Sequence, residues 1–456
     1  MLNTTLNRYK CFGCGKGGDV INFVQETQGL DFVDAVRYLL DMYCPDVNAN
    51  DLMEPRTPEQ EENDRIAETM YIYNKLAHDF YVNQYASESE DAMRCRMYAE
   101  GPPHGEGKGR WDKDFCRTFG LGYSPRLGNQ FLKFAKEKNL DLEILVKMSL
   151  LGEDEHHPGN YYDFYRDRLM IPQRDRYGRI LTFTARAINP EATIKYINGR
   201  ESLIYKKSTS VFGIDVAMKA ARQSGKVYLV EGAPDVMRLQ SLGIANVVAT
   251  LGGHWTKDQL FNFSSFGCSL CFIPDSDIPK HNERFGPGDK FVFENGRLAI
   301  EMGFQVSVRE IPRADIKQDA DSYITSLEIW NDLTEKDFIL WYTEKNYDPD
   351  TSNDEQLKVI NDVCDMLINV QSDVLQASLL DDLKEKYRKG SVWKGALADA
   401  ARRRQERKRR QAIKKSDELQ GYNFYRRGNH YYDLDAKGRE HNWTNFIIKP
   451  LFLIVD

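Results

Sequence analysis

Four short apolar runs separated by helical stretches constrain this chain more than anything else in it. They are KVYLV (226–230), NVVATL (246–251), CSLCFIP (268–274) and QVSVREIP (305–312). The stretches between them read as helices, opened at Pro234-Asp235, at Thr256 and near Asp289. A strand that is apolar on both faces has to be covered on both. Strands that alternate with helices pair in parallel. The expected fold class is therefore α/β, built on a Rossmann-like parallel sheet, and α+β when the flanking segments are included.

Three of these runs lead into acids. Glu231 follows KVYLV, Asp275 and Asp277 follow CSLCFIP, and Asp319 and Asp321 lie in KQDADSYI beyond QVSVREIP. In open α/β sheets, sites form in the crevice outside the carboxyl ends of the strands. Five carboxylates gathered there repel one another unless cations are bound. Hard oxygen donors of this kind select Mg²⁺ or Mn²⁺. Two such ions about 4 Å apart clamp the attacking and leaving oxygens of a phosphoryl transfer.

Upstream lies a β-like, basic region with a turn at Tyr177-Gly178 between LMIPQ and RILTFTAR. From Asp163 to Lys207 it carries ten Lys and Arg against five acids. The chain as a whole has 62 basic and 69 acidic residues, a formal charge of −7. Nucleic-acid binding is read from a local patch rather than from the total. This patch suits the phosphates of a template and of nucleotides, with Tyr196 and Tyr205 as candidates to stack on bases. The eight scattered cysteines of a 456-residue chain are not a disulfide framework. No run approaches the length of a membrane span. A soluble, cytoplasmic protein is expected.

The combination resembles a known family. Glu231-Gly232-Ala233-Pro234-Asp235, Asp275-Ser276-Asp277 and Asp319-Ala320-Asp321 are similar to the EGxxD, DxD and DPD signatures of the TOPRIM fold. Ala320 stands where primases often have proline, and IPKHNERFGPGD after Asp277 is an insertion at the site mouth. YYDFYRDRLMIPQRDRYGRILTFTAR followed by IKYINGRESLIYKKSTSVFGID, together with FGLGYSP at 119–125, resembles DnaG-type primases of bacteria and phages.

This resemblance implies a primase catalytic core that makes short RNA primers on single-stranded DNA from ribonucleoside triphosphates. It assigns Glu231, Asp275 and Asp277 to catalysis, and these three with Asp319 and Asp321 to the metals. It assigns Arg168, Arg186, Lys195, Tyr196, Asn198 and Lys207 to nucleotide and template contacts. Phe164 stands where many relatives carry arginine. The alternatives are another TOPRIM enzyme acting on DNA, such as a nuclease or a topoisomerase-like protein, and a non-catalytic nucleic-acid-binding module.

At the N-terminus, YKCFGCGKGGDVINFVQETQGLDFVDAVRYLL resembles the second half of the primase zinc ribbon, with Cys11 and Cys14 as a partial zinc site. Zinc takes four ligands, so Zn²⁺ is expected only if a further pair lies upstream. Cys268 and Cys271 fall in a core strand and are read as apolar packing.

The expected domains are 1–44, a half ribbon and helix; 45–66, a linker, with a helix from about Ile66 to Phe80; and 67–222, the basic subdomain. They continue with 223–330, the TOPRIM domain; 331–415, a helical segment; and 416–456, the start of a further β-rich domain. ARRRQERKRRQAIKK carries nine basic residues between Arg402 and Lys415, and reads as a DNA-contacting or a solvated linker helix. The last segment reads as two or three strands around Lys437-Gly438. It is similar to the domain that precedes the helicase in phage and mobile-element replication proteins. The expected partner is thus a replicative helicase, fused downstream or separate, with no membrane involved.

Overall fold

All four apolar runs form strands, and these pair in parallel. Across the sheet the order is Val247–Ala249, Lys226–Val230, Ser269–Phe272, Val306–Arg309 and Glu335–Asp337. The first four are parallel, and the last is antiparallel to its neighbour. The fifth strand was not anticipated, because Glu-Lys-Asp contains no apolar run. It is an edge, held by backbone pairing and by Glu335, which accepts from Lys226 Nζ at 2.7 Å and Ser307 Oγ at 2.6 Å. Charges on an edge strand also discourage further pairing. Val227, Leu229, Leu270, Cys271 and Val308 are buried, as two-sided coverage requires. Cys268 and Cys271 are both buried packing residues, Cys271 within the strand and Cys268 just before it.

The computed structural model describes residues 2–3, 8–10, 17–28, 32–43, 57–101, 109–264, 267–281, 283–420, 425–427, 430–434 and 440–442. Cys11, Cys14, the Lys437-Gly438 turn and the apolar run at the end of the chain lie outside them. No described helix is long and apolar enough to cross a membrane.

The basic region forms a four-stranded sheet in the order Gly122–Ser124, Arg168–Arg174, Ile180–Ala187 and Tyr196–Asn198, all antiparallel. Its hairpin turns where expected, at Gly178, whose φ of 82° favours glycine. The Arg168–Arg174 strand is buried on both faces because two cores meet across it. Leu169 and Ile171 pack into the core that holds Val230 and Ile273. Met170, Phe183 and Ala185 pack with Met70, Ala77 and Tyr81 of the long helix Pro58–Ala86.

That helix starts at Pro58 rather than at Ile66, so the linker reading of 45–66 is too long at its end. Thr57 caps it: its hydroxyl accepts from Gln60 N at 3.2 Å, and Gln60 Oε1 accepts from Thr57 N at 2.9 Å. Proline at the first helical position completes the signal. The first turns are solvent-facing and carry no apolar stripe, which hid them from periodicity.

The chain divides into two compact units, one of residues 1–345 with 369–371, the other of 346–368 with 372–456. The second contains the helices Asn353–Leu367, Asp373–Tyr387 and Gly390–Gln420 around buried Ile360, Val363, Leu383 and Trp393. It also contains the antiparallel strands Tyr425–Arg427, His430–Leu434 and Glu440–Asn442.

Candidate metal centre and its basic approach

Parallel register brings the strand ends level. Leu229 pairs with Phe272, so Glu231 emerges beside the turn that carries Asp275 and Asp277. The backbone N–H of Asp275 donates to Glu231 Oε1 at 3.4 Å. Glu231, Asp275 and Asp277 each present an oxygen within 4.8 Å of the others. Among the described residues this is the group of acids, histidines and cysteines arranged to hold a metal ion.

Two further contacts fix the turn. Ser276 and Gln318 exchange backbone hydrogen bonds of 2.7 and 3.3 Å, which pins the loop carrying Asp319 against it. Gly288 N donates to Asp277 Oδ2 at 3.0 Å, at the start of the helix Pro287–Glu301.

The electrostatics of the cluster match its geometry. Burial, helped by the neighbouring Asp275, pushes Glu231 up to about 7. Burial likewise lifts Asp275 to about 6, against the pull of Lys317 and with a push from Asp319 and Asp277. These groups are crowded enough to need a cation, and one is present. Lys317 Nζ lies 3.0 Å from Asp275 Oδ2 and 2.9 Å from Asp277 Oδ1. An ammonium standing between two carboxylates shows that the donor set accommodates a positive charge there. Three converging carboxylates are also the hard oxygen ligands that Mg²⁺ or Mn²⁺ takes.

The other two acids behave differently. Asp319 is half-buried and caps the helix Ala320–Tyr323, accepting from Ser322 N at 2.8 Å. Asp321 is not brought to the cluster. It is buried, paired with the Arg110 guanidinium and lying 3.2 Å from Arg238 Nε. Its carboxylate is committed to two arginines, while its amide donates to Asp235 Oδ1 at 3.0 Å.

Asp235, the last residue of the Glu231 motif, is a site residue that sequence reasoning missed. It is buried, and its other oxygen accepts from Gly232 N at 3.1 Å. One side chain therefore ties the Glu231 turn to the Asp319–Asp321 segment. Lys317 and Arg110 were also missed. A lysine next to acids reads as an ordinary surface pair, and Arg110 is 211 residues from its partner.

The basic sheet supplies a mixed set. Arg186 Nε donates to Tyr98 Oη at 3.2 Å, and its guanidinium lies over the rings of Tyr98 and Tyr196, 5.5 and 5.0 Å from their centroids. Tyr98 also accepts from Arg110. A continuous network thus runs from Tyr196 through Arg186, Tyr98 and Arg110 to Asp321. Tyr196 is 38% exposed. Tyr205, the other stacking candidate, is 1% exposed and takes no part, because it is packed in the interior.

Lys195 and Lys207 are exposed. Asn198 is engaged by Thr184 Oγ1 at 2.8 Å, in the cross-strand pair Thr184–Asn198. Arg168 donates to the carbonyls of Ala185, Ile194 and Lys195 at 3.1–3.3 Å, so it braces the loop leading to Lys195. Phe164 lies under the guanidinium of Arg200, 5.6 Å away.

Residues 1–54 match the CHC2 zinc finger family, and residues 107–218 match the N-terminal domain of the DNA primase catalytic core. The DNA primase of Staphylococcus aureus (strain COL) is 26% identical over 317 residues, covering 69% of this chain and 48% of that protein. The chain thus spans about half the length of the curated relatives it matches. The zinc-binding and RNA polymerase domains of the Aquifex aeolicus primase superpose with a TM-score of 0.55 at 25% identity, covering 86% of this chain and 88% of theirs. A DnaG primase catalytic domain bound to single-stranded DNA shares the fold, with a TM-score of 0.57 at 20% identity over 71% of this chain and 97% of that one. Ribbon and core matches lie in order along one chain, and the relatives it resembles in sequence and in fold are DNA primases.

Proposed function

We propose that this chain is a primase catalytic core that joins ribonucleotides into short primers on a single-stranded DNA template. The convergence of Glu231, Asp275 and Asp277 at the end of the parallel sheet carries this reading, with a basic aromatic face linked through Tyr98 and Arg110 to Asp321, whose amide Asp235 ties to the Glu231 turn. Asp275 and Asp277, with Glu231, would hold Mg²⁺ or Mn²⁺. Such ions, when bound, stabilise charge on the attacking and leaving oxygens of phosphoryl transfer.

The chain's own residues do the rest. Glu231 either completes the ligand set or, when it holds no ion, takes and returns a proton near the reacting oxygen. Asp319 sits at the rim of the cluster and extends its negative field, while Asp321 anchors the segment. Arg186 and Lys195 bind phosphate, and Tyr196 stacks on a base. Asn198 keeps the strand beneath them in register, Arg168 holds the Lys195 loop, and Lys207 adds positive charge nearby. The structural neighbour bound to single-stranded DNA supports this choice of template. Incubating the chain with single-stranded DNA, ribonucleoside triphosphates and Mg²⁺ or Mn²⁺ should yield short oligoribonucleotides. DNA cleavage or relaxation without such products would instead point to another TOPRIM activity.

Two further outcomes separate the parts. Lys195→Ala should reduce the slope of log affinity against log salt for single-stranded DNA by about 0.7, the value of one phosphate contact. Arg186→Ala should lower affinity and also free Tyr98 and Tyr196. Unchanged affinity and slope in both variants would make this face ordinary surface.

For the ribbon, we infer that Cys11 and Cys14 form one ligand pair of a zinc site, since the buried Cys268 and Cys271 are spent on packing. Any zinc that metal analysis finds on the chain should vanish in the double Cys→Ser variant at 11 and 14. Retention of that zinc would move the site elsewhere. A helicase acting downstream, fused or separate, is the partner we propose for this core.

A further inference from the structure

We propose that Lys317 is a built-in counter-cation of the metal centre, and that loading a divalent ion is an exchange in which its ammonium is displaced. The inference rests on the reading of Glu231, Asp275 and Asp277 as metal ligands and adds a residue to it. Lys317 Nζ bridges two of the three carboxylates, at 3.0 Å from Asp275 and 2.9 Å from Asp277. That is where an ion shared by these aspartates would have to sit.

The bridge is a consequence of the fold. The next residue, Gln318, exchanges two backbone hydrogen bonds with Ser276, the residue between the two aspartates. The lysine's Cα is thereby held beside the DSD turn whatever its side chain does. The side chain itself is 56% exposed, whereas those of Asp275 and Asp277 are 11% and 9% exposed. The carboxylates are therefore fixed and the ammonium is hydrated and able to leave. A lysine head on a four-carbon stem swings into solvent readily, and a half-exposed ion pair is weak enough to give way to a doubly charged ion.

This has a physical use. Without a cation, three acids at one edge would repel one another and open the turn. With Lys317 in place the site keeps its shape while empty of metal, and affinity is reduced by the competition.

The test is a Mn²⁺ titration of the full chain, with free ion followed by electron paramagnetic resonance. Wild type, Lys317→Met, Lys317→Arg and Asp275→Asn are compared, and melting is followed in chelator and in excess Mn²⁺. Removing the competing charge should tighten Mn²⁺ binding about tenfold in Lys317→Met. That variant should melt lower than wild type in chelator and recover in Mn²⁺, and Lys317→Arg should resemble wild type. Equal or weaker Mn²⁺ affinity in Lys317→Met, with wild-type binding that Asp275→Asn removes, would overturn the exchange and leave the metal centre standing. No Mn²⁺ binding in either wild type or Lys317→Met would overturn both. Should Lys317→Met not fold in chelator, refolding it by Mn²⁺ supports the exchange. Failure with Mn²⁺ as well would mean that the lysine is structural.

Discussion

Asp275→Asn is expected to lower primer synthesis by at least about a thousandfold while leaving single-stranded DNA affinity within about twofold of wild type. Asp275 is the middle member of the cluster. Its amide donates to Glu231, its carboxylate meets Lys317, and it stands one residue removed from Asp277 across Ser276. Asparagine keeps the volume and one oxygen but removes the charge, so the turn should survive while the donor set loses its hard anionic ligand. The basic face on the antiparallel sheet makes no use of this carboxylate, so template binding is retained. Primer yield and fluorescence anisotropy on the same preparation read the two effects. Full synthesis by Asp275→Asn would remove the cluster from the chemistry, and loss of DNA binding would show that the two regions are not separable.

The second large effect is expected from a single methyl group. A Cβ built on Gly288 would lie 2.2 Å from the carbonyl oxygen of Asp275 and 3.1 Å from its carbonyl carbon and amide nitrogen. These are backbone atoms, so no side-chain rotation relieves the clash. Gly288 also donates its N–H to Asp277, so moving this helix start loosens both aspartates. Gly286 is packed similarly, with a Cβ reaching 2.8 Å from the Asp277 carbonyl oxygen. Gly288→Ala should cost about 2–3 kcal/mol by chemical denaturation and at least about a hundredfold in synthesis, through displaced carboxylates. Gly253→Ala is the control, because nothing lies within 4 Å of its Cβ. A Gly288→Ala chain with the stability and activity of the control would show that the Pro287–Glu301 helix is not seated on the DSD turn.

The position of Gly288 illustrates how the insertion after Asp277 is reconciled with the site. The chain leaves at Ile278 and returns at Gly286–Gly288 against the very residues it left. Length added there is accommodated outside the sheet, and only the return has to be glycine. The sequence announced an excursion at the site mouth but could not show that its end is clamped to Asp275 and Asp277.

What the sequence determined by itself is whatever depends on neighbours along the chain. Two-sided apolar runs separated by helices dictated the parallel sheet. The acids directly following KVYLV and CSLCFIP were bound to emerge at one edge once those strands paired. The Tyr177-Gly178 turn was local in the same sense. Where local signals are silent, the reading fell short: the charged first turns of the Pro58–Ala86 helix and the Glu335–Asp337 edge strand lack apolar patterning.

Tertiary structure alone decided which of five acids share a place. Asp321 is two residues from Asp319, yet a single turn of helix aims it at Arg110 and Arg238 instead of the cluster. Tyr205 and Tyr196 look alike in sequence, and packing buries one and exposes the other. Lys317 acquires its role because a backbone pair between Ser276 and Gln318 brings it to two aspartates about forty residues away. Coulomb energy depends on distance in space, and in this chain the distances that matter are set by sheet register and loop return.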